Sequence, residues 1–325
     1  MKQINSVIAI VLITAIMRPE LSLAEENLWL YATGTDTRPK GSSEFKLSSI
    51  SRIGKNSGSY EFHDIRPAYE YGLTDRLTIG AELFIFDHKY SVDEDGPGPM
   101  VETQAEYGGT FNKTQIGGYE LATKYNVLSP YKDAFGLSVG LAYEHRNRYR
   151  LDGAKIDQHS IVPMVFLQKN YLDDTLAFVL TTKVEFERRR SPGVLEKEIA
   201  LDIAAGVSYR IMPKWFIGLE FRHQSDYLCP RVNGECEDED DVGLKETNFD
   251  PFNFKVGSQH QYGNYFGPTV HYAEKSWWAT AGILFQVSGG GSEYADVRNN
   301  KNWDEHESYH PVSYTHLRAH ETMAH

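Results

Sequence analysis

Two residues stand out for their chemistry, His223 and Ser225, in the segment Phe221-Arg222-His223-Gln224-Ser225-Asp226. In an extended strand alternate side chains share a face, so the imidazole and the hydroxyl lie side by side. A histidine next to a serine hydroxyl is the start of nucleophilic acyl transfer. The imidazole takes the hydroxyl proton, the oxygen attacks a carbonyl, and a third polar group holds the ring in place. Asp226 follows Ser225, and no Asn or Glu that would orient the ring is evident on a neighbouring segment. Parity with Ile217, Leu219 and Phe221 places both side chains on the apolar face of their strand. His223 and Ser225 are the catalytic candidates, against the plainer alternative of a polar pair tolerated near an interface.

A second group is defined by strand parity. Arg66, Glu70, Glu82, Glu120, Lys124, Glu144, Arg146, Lys183, Glu185, Asp202, Glu220 and Arg222 all fall on the face opposite the apolar residues of their segments. Charges are costly against lipid but ordinary in the hydrated interior of a membrane barrel. They would line a path for small solutes, with a mild preference for cations, or pair across strands and fill the interior. Both outcomes are open for a barrel of intermediate size.

Three further features are plainer. The run Glu235, Glu237-Asp238-Glu239-Asp240-Asp241 could gather Ca²⁺ or bridge divalent ions at a lipopolysaccharide surface, but it lacks EF-hand spacing and suits a solvated loop. Cys229 and Cys236 have no paired histidines for zinc, and in an oxidising compartment they would form a disulfide that staples a loop. Gly289-Gly290-Gly291 has no strand–helix context for a phosphate loop and is expected in a flexible external loop. No metal site and no cofactor are indicated.

The 325 residues carry 45 acidic and 33 basic side chains, a net charge of −12 that argues against a nucleic-acid partner. The N-terminus has the form of a secretory signal: Lys2, an apolar stretch from Val7 to Met17, and Ser22-Leu23-Ala24 before a mature start at Glu25. Beyond Met17 there is no apolar run long enough for a spanning helix, but spanning strands need only ~9–11 residues with alternate positions apolar.

Such segments recur. Period-two alternation predicts strands at Ser42–Ile53, Tyr60–Tyr71, Leu77–Tyr90, Gln115–Tyr125, Phe135–Tyr149, His159–Gln168, Leu176–Glu187, Glu196–Tyr209, Trp215–Tyr227, Tyr262–Ala273 and Trp277–Val287. Tight connections (GLTDR, LSPYKD, YLDD, MPK, EKS) alternate with longer polar ones, including Ser91–Thr114, Cys229–Gln261 and Ser288–Glu305. Tyr69, Tyr71, Tyr125, Tyr131, Tyr171, Tyr209, Trp215, Tyr272 and Trp277 gather beside the tight turns, as a membrane-interface girdle would. The apolar faces are therefore expected to point outward. The fold class is all-β, an antiparallel up-and-down transmembrane barrel.

Eleven strands leave an edge open, and bacterial barrels have even counts, so a twelfth strand should begin near Glu307. There Val312-Ser313-Tyr314-Thr315-His316-Leu317-Arg318-Ala319-His320-Glu321-Thr322 resembles a translated sequencing-library transposon adapter. The expected organisation is a signal peptide at 1–24, a barrel at 25–311 whose last strand is truncated or replaced, and a non-native tail at 312–325. His316, His320 and His325 then count for nothing as metal ligands.

Three pieces carry a family resemblance: Asn27-Leu28-Trp29-Leu30-Tyr31 with Pro39-Lys40-Gly41, Tyr69-Glu70-Tyr71-Gly72-Leu73-Thr74-Asp75-Arg76-Leu77, and Gly218-Leu219-Glu220-Phe221-Arg222. Through them the chain resembles a family of bacterial outer-membrane barrels of unknown function with porin- or transporter-like character. The middle piece is also similar to barrels linked to aromatic-compound degradation. The resemblance implies an outer-membrane location, contact with membrane lipid and lipopolysaccharide, insertion by the barrel-assembly machinery, and small solutes as cargo. Separately, the His-x-Ser pair is similar to that of outer-membrane phospholipase A and the lipid A deacylases, which implies a lipid hydrolase as the alternative function. A barrel acting only through its structure or its external loops is the third.

Overall fold

The computed structural model describes residues 27–56, 58–91, 110–191, 194–228, 231–232, 235–236, 258–292 and 295–319. Twelve long strands follow one another: β1 (Ser43–Ile53), β2 (Ser59–Thr74), β3 (Leu77–Ser91), β4 (Thr110–Leu128), β5 (Gly136–Arg148), β6 (Lys155–Tyr171), β7 (Leu176–Ser191), β8 (Val194–Met212), β9 (Trp215–Leu228), β10 (Ser258–Ala273), β11 (Trp277–Gly291) and β12 (Tyr309–Ala319). Each pairs antiparallel with its sequence neighbours, and β12 returns to β1 with Ser49 opposite Ser313, so the sheet closes with no free edge. Closure satisfies every ladder hydrogen bond internally, which is what a strand protein in hydrocarbon requires. The twelfth strand runs through Ala319, so the adapter-like residues up to that point complete the barrel in register.

The distribution of side chains is the reverse of a water-soluble protein. Ile116, Leu121, Leu141, Ile217 and Leu219 lie on the outer surface, Leu121 with 52% of its area exposed. Arg38, Glu44, Asp64, Arg146, Glu220 and Glu307 are buried inside. An aqueous exterior would penalise both halves of that arrangement; a lipid exterior with a polar lumen favours both. Beside the short turns Tyr69, Tyr125, Tyr131, Tyr171, Tyr209, Trp215 and Trp277 are exposed. Trp215, Tyr272 and Trp277 form a chain of ring contacts, with centroids 4.7 and 5.3 Å apart.

Except for β1 and β5, which are slightly shorter, the strands extend beyond the segments expected from alternation; β4 starts at Thr110 and β11 continues to Gly291. Gly289–Gly291 therefore belong to a strand rather than to a flexible loop. The reason is crowding: a Cβ on Gly289 would meet Asn302, and one on Gly290 would meet the Tyr262 ring. The chain after β11 forms a two-residue hairpin, Val297–Arg298 against Lys301–Asn302, turned by Asn299 and Asn300. Both asparagines have positive φ, 55° and 59°, the conformation a type I′ turn demands and Asn tolerates. The expected signal peptide (residues 1–24), Cys229 and most of the acidic run fall outside the described residues.

Candidate functional site

The barrel interior is organised in three tiers. At the short-turn end the segment 27–42 lies inside the wall. Thr280 on β11 donates to the carbonyl of Asn27. The amides of Leu30, Tyr31 and Ala32 then converge on the carboxylate of Glu220 on β9, at 2.6, 2.7 and 2.7 Å. Three successive N–H groups aimed at one anion form a backbone nest, which compensates the burial of the carboxylate. The segment continues past Thr181 on β7, Gln168 on β6 and Thr78 on β3, whose side chains accept from Thr33, Thr35 and Arg38 amides at 2.9, 2.8 and 2.8 Å. Trp29 packs with Ala177, Val179 and Ala204, and Leu30 with Tyr265, Leu284 and Val312. Gly206 is needed here, since a Cβ would run into the Trp29 indole.

The middle tier holds the charges assigned by parity. All twelve are on the inner side: Glu220 beneath the N-terminal segment, and the other eleven around a cavity of about 320 Å³. They are paired, some across strands and some within one. Arg66 bonds Asp64 at 2.6 Å and Glu82 at 2.9 Å, and Arg222 bonds Asp202 at 2.6 Å. Lys46 pairs with Glu70, and Arg146 with Glu144. The Arg222 guanidinium also lies 3.5 Å from the centre of the Tyr31 ring, tying the wall to the N-terminal segment. Acidic and basic side chains line the cavity in near-equal number.

At the loop end, residues 295–308 fold inward over the cavity. Gln286 on β11 holds them by donating to the carbonyls of Asn302 at 2.9 Å and Glu307 at 3.0 Å. Glu307 lies 3.3 Å from Lys55 and 3.1 Å from His310, and Tyr149 reaches Glu305 from across the lumen. Burial alone would raise the Glu307 carboxyl, but the ammonium of Lys55 and the hydrogen bond with His310 hold it well below the usual carboxylate range. Burial pushes the His306 imidazole down to about 3, so it is neutral in this fold. Beside this closure, Tyr60, Phe62, Phe84, Phe86, Tyr90, Phe111 and Leu151 form an apolar cluster on the inner wall.

His223 and Ser225 are on the outer face of β9, as parity requires, and they are bonded: His223 Nε2 lies 3.1 Å from Ser225 Oγ. The expectation that no orienting partner adjoins them is corrected. Asn264 on β10 sits directly opposite His223, and its Oδ1 is 2.8 Å from His223 Nδ1. Asn264 Nδ2 donates to Ser288 Oγ on β11 at 3.0 Å. The long 229–257 connection hides this register from sequence counting. A register shift, which pairs Asn264 with Ser288 but Tyr265 with Gln286, leaves Val287 as an extra residue and turns Ser288 to the same face. Elsewhere on the outer face, His145, Asp157 and His159 bring three potential metal-ligating atoms within 4.8 Å of one another, a group the sequence reading missed because it spans two strands.

Closed antiparallel topology, an apolar exterior with an aromatic girdle, and a charged lumen define the class: an outer-membrane-type β-barrel. The chain belongs to the family of unknown function DUF6662, whose model matches residues 21–312. That match ends within β12. In structure it is similar to the COG4313 outer membrane channel from Pseudomonas putida F1, with a TM-score of 0.58 at 11% identity over 88% of this chain and 98% of that one. It is less similar to the NanC porin, with a TM-score of 0.44 at 10% identity over 85% and 100% of the two chains. The KdgM porin gives a TM-score of 0.41 at 11% identity over 85% and 99%. No curated protein sequence matches the chain.

Proposed function

We propose that this protein is a channel of the bacterial outer membrane that passes small polar solutes through its charged lumen. Segments 27–42 and 295–308 form the two constrictions. The observation that carries this is the cavity of about 320 Å³ between them, lined by paired charges from most of the wall strands. A barrel whose interior served only stability would do better with apolar packing, because buried ion pairs contribute little net stability once their desolvation is counted. The most similar structure named above is that of a channel, and its fold supports the same class of function here.

The test is planar-bilayer conductance of the refolded barrel, with heat-modifiable migration as the check on folding. Discrete single-channel steps are expected. A folded barrel that never conducts would overturn the proposal in favour of a filled, structural barrel.

A further inference from the structure

The outer face carries a hydrogen-bonded Ser–His–Asn cluster that solute passage does not use. We propose that Ser225, His223 and Asn264 form a nucleophile–base–orienter triad that hydrolyses acyl esters of membrane lipids. The order of contacts is the one acyl transfer needs. The Ser225 hydroxyl donates to His223 Nε2 at 3.1 Å, and the N–H at His223 Nδ1 donates to Asn264 Oδ1 at 2.8 Å. Asn264 Nδ2 is turned away to Ser288 Oγ at 3.0 Å, and its oxygen faces the ring. That selects the tautomer with Nε2 free to accept a proton.

The location selects the substrate. The triad shares its face with Leu219, Phe221, Phe266, Phe285 and Val287, all exposed on the lipid-facing surface. Trp215 marks the short-turn girdle, and the strand climbs from it to Ser225 at ~3.3 Å per residue with a tilt of ~40°. The hydroxyl is thus about 25 Å above the girdle, at the far boundary of the apolar band, where acyl chains meet headgroups and ester carbonyls lie. Ser225 is fully buried and His223 half-buried, so an ester reaches Oγ when a covering side chain moves. Tyr262, directly across the ladder from Ser225 and stacked near the His223 ring, is the natural cover.

The reaction balances without a cofactor. Ser225 Oγ attacks the acyl carbon as its proton passes to His223 Nε2. The tetrahedral intermediate expels the alcohol oxygen, which takes that proton. Water then attacks the acyl-serine with His223 again as base, releasing a fatty acid and restoring the hydroxyl. Asn264 acts as a positioning residue.

The experiment uses the folded full chain in mixed micelles, in two arms: a diacyl phosphatidylethanolamine and purified lipopolysaccharide. A fluorophosphonate probe reports the nucleophile, with peptide mapping of the labelled residue. Fatty-acid release in one arm identifies the ester source, and labelling at Ser225 is expected. Ser225→Ala should lower release by roughly 10³-fold or more. Asn264→Ala should lower it roughly 10- to 100-fold, the value of one hydrogen bond to an ionised group. Asn264→Asp should retain turnover but move the acidic limb of the pH profile upward, because a carboxylate favours the imidazolium. Absence of release in both arms, release that survives Ser225→Ala, or labelling elsewhere would overturn the proposal. None of these outcomes bears on conductance, so this site and the channel stand or fall separately.

Discussion

At the scale of single residues, Glu220 holds the short-turn end together. Its carboxylate is the common acceptor for three consecutive amides inside the barrel. Each buried N–H left unpaired costs about 1–3 kcal/mol. Glu220→Ala is therefore expected to release segment 27–42. The signs would be larger single-channel conductance and new protease cleavage near Tyr31 in a barrel that still resists heat; unchanged conductance and protection would show that the nest does not hold the segment. The loop end carries a pH dependence. His306 is neutral here with its pKa pushed down to about 3 from 6.5, so a released segment binds protons below pH 6.5 that the folded one refuses. The contribution of His306 to holding residues 295–308 inward is then constant above pH 6.5 and falls as pH drops from 6.5 towards 3. Glu307, held low by Lys55 and His310 against its burial, adds to the loss at the acid end of that window. Limited proteolysis of the segment, followed from pH 8 to pH 4, should show protection that is flat and then declining.

At the scale of elements, the strands differ in how well they suit lipid. Most outward positions are aliphatic or aromatic, but β12 presents Ser313 and Thr315, both exposed, between Tyr309 and Leu317. Hydroxyls facing hydrocarbon have no partner to replace water. The double variant Ser313→Leu, Thr315→Val should raise the temperature at which the heat-modifiable band converts, without altering the inner contacts of Val312 and Tyr314 with the N-terminal segment. No rise would mean that these positions are shielded from lipid. The bulge at Val287 has the opposite character. It costs ladder regularity, and what it achieves is the outward placement of Ser288 beside Asn264. That is the behaviour of a bulge that re-aims a side chain.

At the scale of the molecule, the net charge and the lumen tell different stories. The chain carries −12, which alone favours cations in the pore. Within the described residues the cavity is close to balanced, because Arg66, Arg146 and Arg222 each sit on wall carboxylates. Reversal potentials measured across a KCl gradient are accordingly expected near zero rather than displaced towards the cation limit. A strong cation preference would mean that the ion pairs open in the conducting state. The two end segments are held by different chemistry, an anion nest at one end and a Lys–Glu–His cluster at the other.

The amino-acid sequence by itself determined the class of fold, the number of strands and the side of the wall each charge occupies. Those properties are local: side chains alternate with period two, and lipid and water demand opposite chemistry on the two faces, so Leu121 and Glu120 declare their environments without reference to anything distant. It also placed His223 and Ser225 together, since two residues apart on one strand is a local fact. What only the tertiary structure decided was everything that depends on register or on chain without periodicity. Asn264 meets His223 across a connection whose length leaves the ladder offset undetermined. His145, Asp157 and His159 meet only once β5 and β6 are aligned. Segments 27–42 and 295–308 carry no strand pattern, and their amides and carbonyls had no visible partners until closure of the barrel created an interior to receive them.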